Sequence, residues 1–289
     1  MMQTTAQINA DPSGLPLQFP EIDIKADLDS IRNLFFTYDC VLLRGILNPA
    51  KLKFFRKICE DMYAKDDVFL KSTDFQDPKW MREYENGWIW EPRLREATDG
   101  AFGYEDIMAN KRLYEILPVL LGNNWRLGSA SQIRRMAPKQ QQNRWGSYTT
   151  YHLDAQWGID HQYFLNVWAP FTPCGQTAPG LEFLLTPANT IREYAKYDPS
   201  IPYEPKGPGG ISPRMDYAIF EPAIIEKHFG TNRFVVPVME AGDVVIFSNW
   251  CTHRTAVSPD MTDTRISIEW RVFCESFDSP MRSHSVTTQ

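Results

Sequence analysis

Positive charge is in short supply along this chain. Its 30 lysines and arginines are outnumbered by 36 aspartates and glutamates, for a formal net charge of -6, whereas a nucleic-acid partner would call for a basic face. Long apolar runs are missing as well. Nothing approaches the ~20 residues of a membrane-spanning helix, so no membrane partner is expected. The five cysteines, Cys40, Cys59, Cys174, Cys251 and Cys274, are odd in number and form no C-x-x-C pair. Reduced thiols are therefore expected, not disulfides or a zinc ribbon. The glycine-rich stretch Gly207-Pro208-Gly209-Gly210 lies among prolines and lacks the Lys-Ser/Thr of a phosphate-binding loop, which leaves a surface turn. Residues 1–14 are polar, with no basic segment leading into an apolar core. Neither a signal peptide nor a transit peptide is expected, and the expected location is the cytoplasm.

What is present fits a single domain over residues 1–289, with 43% hydrophobic and 13% aromatic residues. Apolar spacing near 3.6 predicts helices over 27–36, 49–64 and 105–121, the last ended by Gly122, with a short strand at 41–43 between the first two. Lys51, Lys53, Arg56 and Lys57 on the second helix read as a solvated face. The aromatic, proline-containing segment 69–103 has no clear period and is expected to wrap the core or border its mouth. From residue 126 the pattern changes to short strands between turn residues: 126–136, 148–154, 162–169, 181–186, 233–238, 244–249 and 265–274. The fold class this predicts is mainly β with flanking helices, built on a double-stranded β-helix of the jelly-roll, cupin-like kind. A helical flank over 15–125 would precede a core over 126–275, interrupted by a proline-rich insertion at 189–232 with a short helix at 224–228.

The chemistry concentrates in Tyr151-His152-Leu153-Asp154. A strand puts residues i and i+2 on one face, so His152 and Asp154 would point together. Completed by a second imidazole from a neighbouring strand, they make the facial arrangement that holds non-haem Fe(II) with open positions. Gly242-Asp243-Val244 reads as a turn into a buried strand that delivers His253, the candidate third ligand, at its end. The strand beginning at Arg265 alternates. Ile266, Ile268 and Trp270 share one face, Arg265, Ser267, Glu269 and Arg271 the other. Charges facing into a barrel are costly unless paired, and a bound carboxylate would supply a partner.

His152-x-Asp154, His253 and Arg265, in this order, resemble the Fe(II)- and 2-oxoglutarate-dependent oxygenases, and within them the phytanoyl-CoA dioxygenase-like family. Asp39-Cys40-Val41-Leu42-Leu43-Arg44-Gly45 resembles that family's N-terminal opening, and Asn166-Val167-Trp168-Ala169-Pro170 with Pro179-Gly180-Leu181-Glu182-Phe183 resembles its central strands. The resemblance implies Fe(II) on the triad, 2-oxoglutarate as cosubstrate, dioxygen, and a small-molecule substrate. It also implies that Arg265 captures the distal carboxylate of the cosubstrate, with Thr255 aimed at the same group and Trp168 beside it. Arg271, on the same strand face, is the fallback for Arg265.

Other readings stay open. A halogenase would carry a small residue in place of Asp154, a zinc hydrolase would use the triad and leave Arg265 unexplained, and a cupin-like binding module would need no chemistry at all. His161, His228 and His284 are expected in surface or packing roles. Arg134, Arg144 and Arg254 fall near the expected mouth, either holding an anionic substrate or solvated. Substrate selection is assigned to the insertion, through Tyr194, Tyr197, Tyr203, Tyr217 and Phe220, together with the aromatic segment 145–157. A CoA ester is disfavoured, because its phosphates call for a basic cluster that scattered arginines do not make.

Overall fold

The computed structural model of the chain describes residues 18–72, 87–128, 131–138, 151–157, 163–188, 190–194 and 222–274. A short strand β1 (Glu21–Asp23) leads into helix α1 (Leu28–Tyr38). The helix starts where the Asp27 side chain accepts a hydrogen bond from the Ser30 amide at 2.7 Å, which satisfies a donor that the first turn leaves unpaired. It buries Ile31 and Phe35, one turn apart, and ends at Asp39, whose φ of 58° reverses the chain into strand β2 (Cys40–Arg44). Helix α2 (Pro49–Ser72) opens on Asn48, whose Oδ1 accepts from the Ala50 amide at 2.9 Å. Its inward face carries Leu52, Phe55, Cys59 and Tyr63. On the outward face Arg56 pairs with Glu60 and Lys57 with Asp61, the solvated arrangement expected there.

Two departures from the expected elements have local causes. The helix expected over 105–121 is two helices, preceded by α3 (Glu91–Ala97): α4 (Tyr104–Met108) and α5 (Lys111–Leu121). Asn110 caps a new start by accepting from the Leu113 amide at 3.1 Å, while its Nδ2 donates to the Ile46 carbonyl at 2.6 Å. The strand expected over 126–136 is likewise two, β4 (Trp125–Leu127) and β5 (Gln132–Met136), which pair with successive parts of the same long neighbour. Segment 69–103, which lacks a period, holds strand β3 (Trp88–Trp90) as well as α3.

The remaining strands are β6 (Phe164–Pro170), β7 (Gly180–Leu184), β8 (Phe234–Val235), β9 (Val244–Ser248), β10 (His253–Ala256) and β11 (Arg265–Cys274). Strand β8 is shorter than expected, and Pro237 has no N–H to extend its ladder. His253 does not end β9 but opens β10. The strands form an eight-stranded sheet, β1-β2-β9-β6-β11-β5-β3 with β4 also on β11, and a three-stranded sheet, β10-β7-β8. The expected fold class holds: a jelly-roll-like β core with helices outside.

Alternation along the strands builds two cores. Val41, Leu43, Val167, Ile246, Ile268 and Trp270 face the helices and meet Phe35, Phe55 and Leu117. Leu42, Val245 and Phe247 face the other way and meet Leu181 and Phe183 of the small sheet. All five cysteines are free, and burial pushes the Cys59 and Cys174 thiols up to about 12. Among the described residues no helix is long and apolar enough to cross a membrane.

Burying a leucine side chain contributes about 1.5–3 kcal/mol, and the helix–sheet core depends on many such contacts. Leu117→Ala is expected to destabilise the chain by roughly 2–5 kcal/mol in denaturant unfolding, whereas Lys53→Ala on the solvent face leaves the midpoint in place. A Leu117→Ala variant as stable as the parent would mean that α5 is not part of the core.

Candidate metal and anion site

After β9 the chain turns sharply, with the Trp250 amide on Ser248 Oγ at 3.1 Å and the Cys251 amide on the Ser248 carbonyl at 3.0 Å. This turn lets His253 open β10 opposite Phe183 of β7. His152 and His253 then exchange both backbone N–H···O bonds, each at 3.0 Å, which brings the two imidazoles to 4.4 Å between ring centroids. The expected strand face for His152 and Asp154 is not what unites them. His152 forms an isolated bridge, and Asp154 begins a 3-10 turn (Asp154–Trp157) tied down by the Ala155 amide on the Asn249 carbonyl at 3.0 Å. Leu153 is fully buried behind them. The turn swings Asp154 back, and one ligand atom each from His152, Asp154 and His253 lies within 4.8 Å of the others.

The surrounding hydrogen bonds prepare these atoms. His253 Nδ1 lies 2.9 Å from the Cys251 carbonyl. A carbonyl only accepts, so Nδ1 carries the proton and Nε2 keeps its lone pair. Phe247 and Phe183 enclose the ring, and burial lowers its pKa below the ordinary value despite the attraction of Asp154. The imidazole is therefore neutral at neutral pH. Burial would raise the Asp154 carboxyl. Arg271 at 3.6 Å, the two imidazoles and a 2.6 Å bond from Asn166 Nδ2 outweigh it and hold the group below its usual range. Two imidazoles and one ionised carboxylate fit a first-row divalent cation such as iron or zinc.

These three residues line a cavity of about 310 Å³ that also contains Arg265, Thr255 and Trp168. Arg265 is 2% exposed. Its Nη1 donates to the carbonyls of Pro179 and Gly180 at 3.1 and 3.0 Å, and its guanidinium lies 5.1 Å from the Trp168 ring centre. The buried Nε has no hydrogen-bond partner, and no carboxylate of the described residues is within ion-pair distance. Burial pushes the guanidinium down to about 10, so it stays charged at neutral pH. The accepting carbonyls are set by backbone sterics. A Cβ on Gly180 would meet Gly175 Cα at 2.7 Å, and Gly175 itself needs a φ of +91°.

The inward face expected for Arg265, Ser267, Glu269 and Arg271 is found, since all four line the cavity. Arg271 does not share the surroundings of Arg265. It lies 3.2 Å from Glu269 and 3.6 Å from Asp154, an ion-paired brace. Of the three arginines placed near the mouth, Arg134 lines the cavity. Arg254 is an ion-pair partner of Glu182 and lies over the Tyr151 ring at 4.2 Å, while Arg144 is outside the described residues. His228 is exposed beside Tyr194, as expected, and His161 and His284 are outside the described residues.

Within the insertion, helices α6 (Thr190–Tyr194) and α7 (Pro222–Phe229) pack Ile191, Ile225 and Phe229 against Tyr151, Leu153 and Trp250. They therefore support the triad from behind. Tyr197, Tyr203, Tyr217 and Phe220, to which substrate selection was assigned, and Trp145 of the aromatic segment lie outside the described residues. Sequence reasoning placed segment 69–103 around the core or at its mouth without singling out Trp88 and Trp90, whose three-residue strand leaves no readable period, and it did not single out Gln132. It also missed Asn166. Removing the donor to Asp154 with Asn166→Leu is expected to weaken binding of a divalent metal by about 10–100-fold in calorimetric titration. An unchanged affinity would mean that this hydrogen bond does not organise the carboxylate.

No protein-family model matches the chain, and no curated protein matches it. Solved structures do. The crystal structure of SnoN, the non-heme alpha ketoglutarate dependent epimerase from nogalamycin biosynthesis, aligns with a TM-score of 0.51 at 13% identity, covering 85% of this chain and 82% of SnoN. SnoN in complex with Fe3+, alpha ketoglutarate and nogalamycin RO aligns with a TM-score of 0.50 at 12% identity, covering 85% and 83%. At such identities the likeness establishes a shared fold. Membership of the phytanoyl-CoA dioxygenase-like family is not shown by any of these matches.

Proposed function

We propose that the chain is an Fe(II)- and 2-oxoglutarate-dependent dioxygenase that oxidises a small organic metabolite, most simply by hydroxylation. In this reading His152, Asp154 and His253 are the metal ligands, and Arg265, Thr255 and Trp168 form the cosubstrate site. The whole of 1–289 is read as one catalytic domain. The observation that carries the proposal is a buried arginine without an acidic partner among the described residues, in the same cavity as two imidazoles and a carboxylate. The structural neighbour SnoN, which is alpha ketoglutarate dependent and was solved with Fe3+, supports it.

When bound, iron with 2-oxoglutarate supplies an oxidant made from dioxygen, with succinate and carbon dioxide released. The chain's own residues do the rest. Arg265 uses Nη1 on backbone carbonyls, which leaves the Nε–Nη2 edge as a planar fork for a carboxylate. Trp168 covers that cation and keeps water from it. The paired Arg271 and Asn166 hold Asp154 ionised and oriented. A zinc hydrolase would use the same triad but gives Arg265 no task, and a halogenase is disfavoured by Asp154 itself. SnoN is an epimerase, so inversion of a carbon centre is the second outcome to look for in the products.

Anaerobic titration is expected to show one Fe(II) per chain, lost in His152→Ala, Asp154→Ala and His253→Ala. Arg265→Ala should weaken 2-oxoglutarate binding by about 2–5 kcal/mol, roughly 30- to 5,000-fold. Arg265→Lys should rescue it only in part, because lysine keeps the charge and loses the fork. Full succinate release by His253→Ala, or unchanged 2-oxoglutarate affinity in Arg265→Ala, would overturn the assignment.

A further inference from the structure

The metal triad and Arg265 leave one wall of the cavity unused. It is the β3 edge of the large sheet, where two rungs cross three strands: Trp88–Arg134–Ser267 and Trp90–Gln132–Glu269, from β3, β5 and β11 in turn. All six side chains face the cavity. The two indoles lie 5.7 Å apart at 71° and cover the outer end of the rungs.

The polar atoms on this wall are unevenly spent. Arg271 reaches Glu269 Oε1 with both Nε and Nη2, each at 3.2 Å. Glu269 Oε2 and the neighbouring Gln132 side-chain carboxamide make no hydrogen bond to any described residue. A carboxylate oxygen can only accept, so whatever meets Oε2 must donate. Arg271 is shared between Glu269 and Asp154, so the two carboxylates together keep a net negative charge; a neutral donor meets Oε2 without adding charge, and an anionic group at this point is repelled.

The wall is also rigid before any ligand arrives. The Tyr104 hydroxyl accepts from the Ile133 amide at 3.2 Å and donates to the Ile89 carbonyl, bridging β3 and β5 between the two rungs. A cavity of about 310 Å³ lies at the lower end of the roughly 300–1,000 Å³ that hold drug-sized ligands. Part of it is reserved for metal and cosubstrate if the proposed function holds.

We propose that this wall selects the substrate, and that the substrate is a small, flat, uncharged molecule lying against Trp88 and Trp90 and donating a hydroxyl or N–H hydrogen bond to Glu269 Oε2, with Gln132 beside it. The inference takes from the proposed function only the occupancy of the opposite end of the cavity. Glu269 acts here as a specificity-determining residue, not as a metal or cosubstrate ligand.

The test uses the full-length, metal-free chain, so that a failure to bind iron or 2-oxoglutarate, measured separately, does not touch the result. Three probes are titrated by ligand-observed NMR: phenol, which is flat and donates; anisole, which is flat and cannot donate; and cyclohexanol, which donates and is not flat. Phenol is expected to bind at least about 10-fold more tightly than either of the others. Glu269→Gln should shrink the phenol-to-anisole ratio to within about threefold, and Trp90→Leu should weaken phenol and anisole together while preserving their ratio. Equal binding of phenol and anisole, a ratio that survives in Glu269→Gln, or cyclohexanol binding as tightly as phenol would each overturn the proposal. Should Glu269→Gln fail to fold, a phenol-soaked crystal of the unaltered chain decides: the phenol oxygen within hydrogen-bond distance of Glu269 supports the assignment, and any other position overturns it.

Discussion

Two backbone hydrogen bonds between His152 and His253 hold the site together. They join segments that belong to no common strand pair, and every other feature of the metal end follows from them. With the two imidazoles fixed side by side, only the Asp154 turn remains to be placed, and a single bond from Ala155 to the Asn249 carbonyl places it. The small sheet behind β10 and the helices behind Tyr151 and Leu153 then fill the space around the pair with apolar contacts. The pairing is between backbone groups and so does not depend on the ring chemistry. A histidine replacement would remove an imidazole and leave the bridge standing.

The same strand, β11, carries two arginines with opposite electrostatic situations. Taking an ion out of water costs several kcal/mol even after relaxation. A unit-charge pair at about 4 Å returns roughly 4 kcal/mol where the effective dielectric is near 20. Arg271 has two such partners, Asp154 and Glu269. Arg265 has two carbonyl dipoles and an aromatic face, which satisfy donors without neutralising the charge. Arg271 is compensated within the chain, whereas among the described residues Arg265 meets no carboxylate. A structural arginine could have been paired at Arg265 as easily as at Arg271.

How much of this could be read in the sequence follows the same lines. The alternation from Arg265 to Arg271 is strict enough to fix which side chains face inward, and the structure agrees at each of the four positions. The two histidines and the aspartate were legible as a set. Their geometry was not, because a 3-10 turn and an isolated bridge have no periodicity to betray them. Local capping decided what apolar spacing could not: Asn110 splits a pattern that looks continuous, since its side chain starts a second helix while also bonding the Ile46 carbonyl. Strand β3 was invisible for a third reason. Three residues, Trp88-Ile89-Trp90, are too few for a pattern, and only pairing with β5 gives them a face.

That short strand stands apart from the two histidines and differs from them in its supports. The metal end needs fixed geometry, and it sits between two packed sheets where volume changes are costly. The wall of Trp88 and Trp90 sits at the sheet edge, where β3 has no neighbour beyond it among the described strands. The edge is nonetheless stiff. Ile89 is buried in the helix-facing core, Tyr104 bridges β3 to β5, and Arg93 links the Trp88 carbonyl to Asp66 on α2. These supports reach the backbone of the wall from behind and touch none of the metal-end residues. Trp88, Trp90, Gln132 and Arg134 thus stand on a backbone braced from behind, at the opposite side of the cavity from His152 and His253 in the strand order.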